Sequence, residues 1–159
     1  AWGSGAVSIS GSTVSGCSAG HDGGVVYALQ KSGAVSIISS NLTSCSAGRF
    51  GGVVYSTYSG AVSIIGSTVT GCSANFGGVV RAYDSGTVSI SGSNVTSCSA
   101  DYGGATYMWG SDLNVTDSTI SGCDATRGGA VSVYVDSGSA RASLARSTIS
   151  SCIATESGG

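Results

Sequence analysis

Val and Ile recur at every second position in short runs along this chain, each run is closed by Gly or Ser, and the runs themselves recur. In Gly5-Ala6-Val7-Ser8-Ile9, and again from Gly33 and Gly60, apolar residues alternate with Ser; the phrase loosens to Gly-Thr-Val-Ser-Ile from Gly86, Asp-Leu-Asn-Val-Thr from Asp112 and Arg-Ala-Ser-Leu-Ala from Arg141. A period of two predicts strands with one face buried. Val7, Val35, Val62 and Val88 are therefore expected to point inward, with Ser8, Ser36, Ser63 and Ser89 in an outer column. In a second run, Val14, Leu42, Val69, Val95, Ile120 and Ile149 are predicted inside, and Thr13, Asn41, Thr68, Asn94, Thr119 and Thr148 outside. A third run follows a Gly-Gly pair. An Arg in the column Tyr27, Tyr55, Arg81, Tyr107 and Ser132 predicts that this column faces solvent. Val26, Val54, Val80, Thr106 and Val131 then face in, and Val25, Val53 and Val79 lie beside the tyrosines on an outer apolar stripe.

The runs are parts of one repeat, which sets the architecture. Cys stands at 17, 45, 72, 98, 123 and 152, in steps of 28, 27, 26, 25 and 29 residues. Ile9, Ile37, Ile64, Ile90, Val115 and Leu144 each precede their Cys by eight residues, and a Gly-Gly pair follows five or six residues after it, beginning at Gly23, Gly51, Gly77, Gly103, Gly128 and Gly158. Apart from that one-residue difference, length varies after the Gly-Gly run, which marks that stretch as a surface loop. Three β-rich phrases per period predict an all-β protein, a parallel β-helix of about six three-sided coils of 25–29 residues. The coils fall at about 1–22, 23–50, 51–76, 77–102, 103–127 and 128–159, a single solenoid over 1–159. One coil cannot bury enough side chain to offset the entropy of ordering it, so stability belongs to the stack.

Composition narrows the partners. Only 9% of residues are charged, the net charge is −2, and there is no Pro. Without a run of Lys or Arg the chain has nothing to track a phosphate backbone, so nucleic acid is not an expected partner. No stretch approaches the roughly 20 apolar residues of a membrane-spanning helix, and no basic-then-apolar leader opens the chain.

The pairing of Gly-Gly-Val-Val-Tyr with Ser-Thr-Val-Thr-Gly-Cys-Ser-Ala resembles the repeats of right-handed parallel β-helix proteins. The likeness is to the Gly-Gly-Ala-Ile type repeats of polymorphic outer-membrane proteins and to similar secreted proteins of algae and other protists. It extends over all six coils, but the companion Phe-x-x-Asn phrase of the bacterial repeats is missing. The resemblance implies a fold and leaves function open, since the same solenoid serves adhesins, autotransporter passengers, polysaccharide lyases and surface fibres.

Six Cys at one position of the coil form a ladder. Neighbouring coils about 4.8 Å apart fall within the Cα separation of about 4.4–6.8 Å that a disulfide spans. Pairs Cys17–Cys45, Cys72–Cys98 and Cys123–Cys152 are one reading, and a file of free thiols in a tight inner corner is the other. No cofactor or metal is expected, because no two Cys are close in sequence and the single His21 belongs to a loop. Three sequons, at Asn41, Asn94 and Asn114, place Asn and Thr outward around an inward residue, so at least one is expected to carry an N-glycan. The Asp and Glu residues are scattered over different coil positions. Asp101 and Asp124, with Arg127 near, are the closest to a catalytic cluster, and turn residues in solvent account for them better. No catalytic residue is assigned.

Three outer faces are candidates for contact. The Thr and Ser columns resemble the flat faces of ice-binding solenoids, interrupted by Asn41 and Asn94. Phe50, Phe76 and Tyr102, one row before the Gly-Gly pairs, stack on sugar rings or on themselves, the second being the better account. Tyr27, Tyr55 and Tyr107 belong to the apolar stripe, a lateral contact surface. Finally, joining Gly158-Gly159 to Ala1-Trp2-Gly3-Ser4 closes a further coil with a Cys152-to-Cys17 step of 24 residues. The chain therefore reads as an excerpt of a longer array or as a protomer that stacks head to tail on itself. The expected role is a secreted, glycosylated, extracellular or cell-surface fibre; an adhesin or an ice- or carbohydrate-binding module is the alternative, and a carbohydrate-active enzyme comes third.

Overall fold

The computed structural model describes residues 1, 3, 5–135 and 139–158. These form a succession of short strands with no helix, stacked into a parallel β-solenoid. The first face has six strands: Val7–Ser10, Val35–Ile38, Val62–Ile65, Val88–Ser91, Leu113–Thr116 and Ala142–Ala145. The second has six more, Thr13–Ser15, Asn41–Thr43, Thr68–Thr70, Asn94–Thr96, Thr119–Ser121 and Thr148–Ser150. The third has five: Val26–Leu29, Val54–Thr57, Val80–Tyr83, Thr106–Trp109 and Val131–Tyr134. The solenoid thus makes about five turns, where six coils were expected, because the chain reaches the first face with no third-face strand before it among the described residues. Trp2, Ser4 and Gly159, which the head-to-tail junction needs, lie outside those residues.

Every strand pairs in parallel with its equivalent one turn away, without slippage on the three main faces: Val7 opposes Val35, Val35 opposes Val62, Val62 opposes Val88 and Val88 opposes Leu113. Such pairing holds because a one-residue slip would turn the Val and Ile columns out and the Ser columns in. The first two faces follow the period-two expectation. Val35, Ile37, Val62, Ile64, Val88 and Ile90 are buried, as are Leu42, Val69, Val95 and Ile120 on the second face. The outermost turns carry the same side chains with less cover, Val7, Ile9 and Val14 being half-buried and Leu144 and Ile149 exposed.

The third face departs from the expectation. Val53 and Val79, assigned to an outer stripe, are fully buried in the core, together with Val54 and Val80. The cause is a local break in the alternation. The amides of Val53 and Val54 both donate to the carbonyl of Val79, at 3.0 and 2.9 Å, and those of Val25 and Val26 both donate to Val53. Two consecutive residues facing one partner make a bulge-like corner, and both side chains turn inward. The Tyr and Arg column does point away from the core, yet it is not solvent-exposed, since Tyr55, Arg81 and Tyr107 are buried and only Tyr27 is exposed.

Between the first and second faces runs a file of six Ser residues whose role the repeat phrase conceals. Ser40 Oγ accepts from the amide of Ser12, Ser67 Oγ from that of Ser40, Ser93 Oγ from that of Ser67, and Ser118 Oγ from that of Ser93, all at 3.1–3.2 Å. Each hydroxyl in turn donates to the carbonyl two residues earlier, Ser67 to Ile65 at 2.9 Å and Ser93 to Ser91 at 2.8 Å. The file satisfies amides that the turn removes from the strand ladders. A Ser67→Ala variant orphans the buried amide of Ser40 and is expected to lose about 1.5 kcal/mol of stability, readable as a lower midpoint in chemical denaturation; an unchanged midpoint would show that water replaces the hydroxyl.

Candidate functional site

Three groups of side chains stand out once the strands are stacked. The first is the Cys file at the corner after the second face. In-register pairing brings all six into one column, and the backbone ties successive members together: the amide two residues into the next turn's corner, at Ser46, Ser73, Ser99, Asp124 and Ile153, is within 2.7–3.0 Å of the carbonyl of Cys17, Cys45, Cys72, Cys98 and Cys123 respectively. The side chains share one orientation, each Sγ lying 3.4–3.9 Å from the carbonyl oxygen two residues before it. All six are free thiols. Cys45, Cys72, Cys98 and Cys123 are buried, and Cys17 and Cys152 at the two ends are half-buried.

Burial and neighbouring Cys side chains divide the thiols electrostatically. Interaction with the neighbouring Cys123 and Cys72 thiols, with burial added, raises the Cys98 thiol well above its ordinary range. Interaction with neighbouring Cys98 brings the Cys72 thiol down to about 7, and the Cys123 thiol to about 7 likewise. Burial pushes Cys45 up to about 11.

The second group is aromatic and covers the third face. Phe50, Phe76 and Tyr102 do stack on themselves, Phe76 lying flat on Tyr102 with ring centres 4.9 Å apart and Phe50 meeting Phe76 edge-on at 5.4 Å. They also lean on the tyrosine column, Phe50 on Tyr55 at 4.8 Å and Phe76 on Tyr107 at 5.4 Å, which is why that column is buried. A further row, Tyr58, Tyr83, Trp109 and Tyr134, closes the other side, with centres 4.4–5.6 Å apart. Reading the repeat missed this row, although Tyr83, Trp109 and Tyr134 each end a third-face strand and oppose one another in register. Arg81 stands between Tyr55 and Tyr107 with its guanidinium 4.5 Å from the Tyr107 ring centre. Only 4% of it is exposed, its Nη1 donates to the Ala82 carbonyl at 2.6 Å, and its Nε has no partner. In the next turn but one the column holds Ser132, and the missing ring leaves a cleft of about 480 Å³ lined by Tyr102, Tyr107, Arg127 and Tyr134.

The sequons form the third group. Asn41 and Asn94 are exposed on the second face, two turns apart with Thr68 in register between them, and Asn114 is exposed on the first face beside Ser89. The polar turn residues make ion pairs between neighbouring turns, Asp22–Arg49, Glu156–Arg127 and Asp117–Arg146. Asp101 and Asp124 are not brought together, since pairing sets Asp124 opposite Ser99, and Arg127 is held by Glu156 and the Tyr102 hydroxyl. Asp136 lies outside the described residues. Among the described residues no three His, Cys, Asp or Glu side chains converge on one point, and no helix is long and apolar enough to cross a membrane.

Comparison of the chain with protein-family models, with curated proteins and with solved structures finds no match.

Proposed function

We propose that this protein is a structural solenoid that builds a glycosylated fibre or surface appendage outside the cell, extended by stacking further coils end to end. The observation that supports it is the uniformity of the ladder. Each described turn offers the next the same strand edges in the same register, so a matching strand can continue the stack. An open edge is a template for any matching strand, and a heterologous contact that repeats without closing generates a filament. The inward side chains left partly uncovered at the outermost turns, Val7 and Ile9 at one and Leu144 and Ile149 at the other, are the apolar surface that such stacking buries. Further coils supplied by the same chain or by a second copy serve this role equally. Exposed Asn41, Asn94 and Asn114 on the flanks would carry the glycans, clear of both stacking edges.

The aromatic cleft beside Ser132 favours a second reading, a carbohydrate-binding surface on the third face, because Tyr rings and a guanidinium suit the faces and hydroxyls of a sugar.

Electron cryo-microscopy of the secreted, glycosylated protein tests the first reading. Filaments with a ladder repeat of about 4.8 Å, and extra density at Asn41, Asn94 or Asn114, are the expected result. Discrete particles with bare Asn side chains would rule it out and leave the aromatic cleft as the feature to probe with oligosaccharides.

A further inference from the structure

Two phenols on the third face are held together by the main chain as well as by contact between their rings. Tyr58 lies one residue beyond the strand Val54–Thr57, and Tyr83 ends the strand Val80–Tyr83 of the next turn. The amide of Tyr58 donates to the carbonyl of Tyr83 at 3.0 Å, and the carbonyl of Tyr58 accepts from the amide of Lys31, one turn back, at 2.8 Å. The two ring centres are 5.2 Å apart with their planes at 70°. Tyr58 is 53% exposed and Tyr83 is half-buried, so the pair is open to an oxidant in solution. We propose that Tyr58 and Tyr83 are a site of oxidative cross-linking, joined ring carbon to ring carbon as dityrosine by a haem peroxidase and hydrogen peroxide, so that a covalent staple ties one turn of the solenoid to the next.

The chemistry balances with the peroxide as the only oxidant. Each phenol loses its hydroxyl hydrogen as one electron and one proton, and the radical left behind spreads to the ring carbons beside the one that bears oxygen. A bond forms between one such carbon of each ring. The hydrogen displaced from each joined carbon moves to the phenol oxygen and restores both hydroxyls, so the product is two tyrosines less two hydrogen atoms. One hydrogen peroxide takes up the two electrons and two protons and leaves as two waters.

Geometry selects this pair among the aromatic contacts of the face. The new bond lies in the plane of each ring, so the partners have to meet edge to edge. Tyr27 and Tyr55 lie face on face, 5.1 Å apart at 15°, and buried Tyr55 has no room to swing its edge round. Tyr102 and Tyr107 are further apart, at 5.9 Å, and Tyr107 is buried. Between Tyr58 and Tyr83 an edge already points at a face. Tyr58, in solvent beyond its strand, can turn about its Cα–Cβ bond to bring the two edges together while the main-chain hydrogen bond keeps the residues side by side. The bridge closes a loop between residues 25 apart in sequence and restricts the unfolded chain as a disulfide over the same loop would. The inference needs only the stacked turns within one chain and does not depend on the fibre reading.

The experiment treats the dilute full chain with a haem peroxidase and hydrogen peroxide, opens any disulfide with reductant, and maps the tryptic peptides. The expected product is a monomer with the blue fluorescence of dityrosine and a mass lower by two hydrogen atoms, in which the peptides 50–81 and 82–127 are joined through Tyr58 and Tyr83. Tyr58→Phe and Tyr83→Phe, which keep the rings and remove the phenol oxygens, should each abolish the joined peptide, and Tyr27→Phe should leave its yield unchanged. The stapled chain should melt at least about 5 °C above Tyr58→Phe treated in the same way. Links between separate chains in place of the internal one, a link from Tyr83 to Trp109, or a joined peptide that survives Tyr58→Phe would overturn the proposal. So would a folded chain that forms no dityrosine where free tyrosine couples, or a linked chain that melts no higher than the treated Tyr58→Phe.

Discussion

A Gly78→Ala variant is expected to lose at least about 3 kcal/mol of stability, at the upper end of what overpacking a well-filled interior costs. The residue lies at the corner where the third-face strand begins, directly beneath the equivalent Gly104. A methyl group there would lie inside contact distance of the Gly104 carbonyl oxygen and only 2.7 Å from that of Ser99, both backbone atoms that no side-chain rotation can move aside. The same is true of Gly52, whose added methyl meets the carbonyl of Gly78. At Gly24, Gly52, Gly78, Gly104 and Gly129 the second Gly of the pair is therefore required by the stacking distance between turns. Gly20 is the control: an added methyl meets nothing within 4 Å, so Gly20→Ala should be close to neutral. Thermal unfolding followed by circular dichroism should place Gly78→Ala at least about 6 °C below the parent. Coincident transitions for the two variants would mean that the turns can move apart at the corner at little cost.

The second large effect has the opposite sign. Arg81→Tyr should stabilise the protein, by up to about 4 kcal/mol, the range seen when buried ionic groups give way to packed side chains. Arg81 is the one member of its buried column that carries charge, and no Asp or Glu among the described residues forms an ion pair with it. Burial pushes its guanidinium below the usual Arg range, the direction expected when the charged form is poorly solvated. The rings of Tyr107, Phe50 and Tyr83, at 4.5–5.5 Å, return part of that cost through cation–π attraction. The unpaired Nε adds to the cost, because a buried donor of a charged group without a partner loses its hydration with no hydrogen bond in return. A Tyr at 81 would continue the stack of Tyr27 on Tyr55, whose ring centres are 5.1 Å apart, towards Tyr107. A fall in melting temperature would show that the aromatic enclosure outweighs the orphaned donor and that the Arg is there for stability.

Much of the molecule was legible in the amino-acid order, for a physical reason that also marks where legibility stopped. A parallel stack repeats its own environment once per turn, so a side chain that must be buried in one turn must be buried in all. Ile9, Ile37, Ile64 and Ile90, each eight residues before a Cys, therefore announce a coil length, an inward column and a strand register without any tertiary knowledge. The Cys file and the outward position of the sequon Asn residues follow from the same periodicity. The Ser file did not emerge, although Ser stands five residues before every Cys, because a Ser in a turn has the same appearance whether it faces water or an orphaned amide.

What the order of residues determined by itself is the all-β class, the parallel coil and the orientation of the first two faces, since these depend on alternation along the strand and on repetition from turn to turn. The third face was decided only in three dimensions. Two amides converging on one carbonyl at the Gly-Gly corner turn Val53 and Val79 inward, and Phe50 and Phe76 lay their rings over a Tyr and Arg column that points away from the core. Both effects come from contacts between a corner and its neighbours one turn above or below, so they cannot be read from residues adjacent in the chain. The same distance in sequence separates the thiols of the Cys column, and their common line exists only because the turns stack in register.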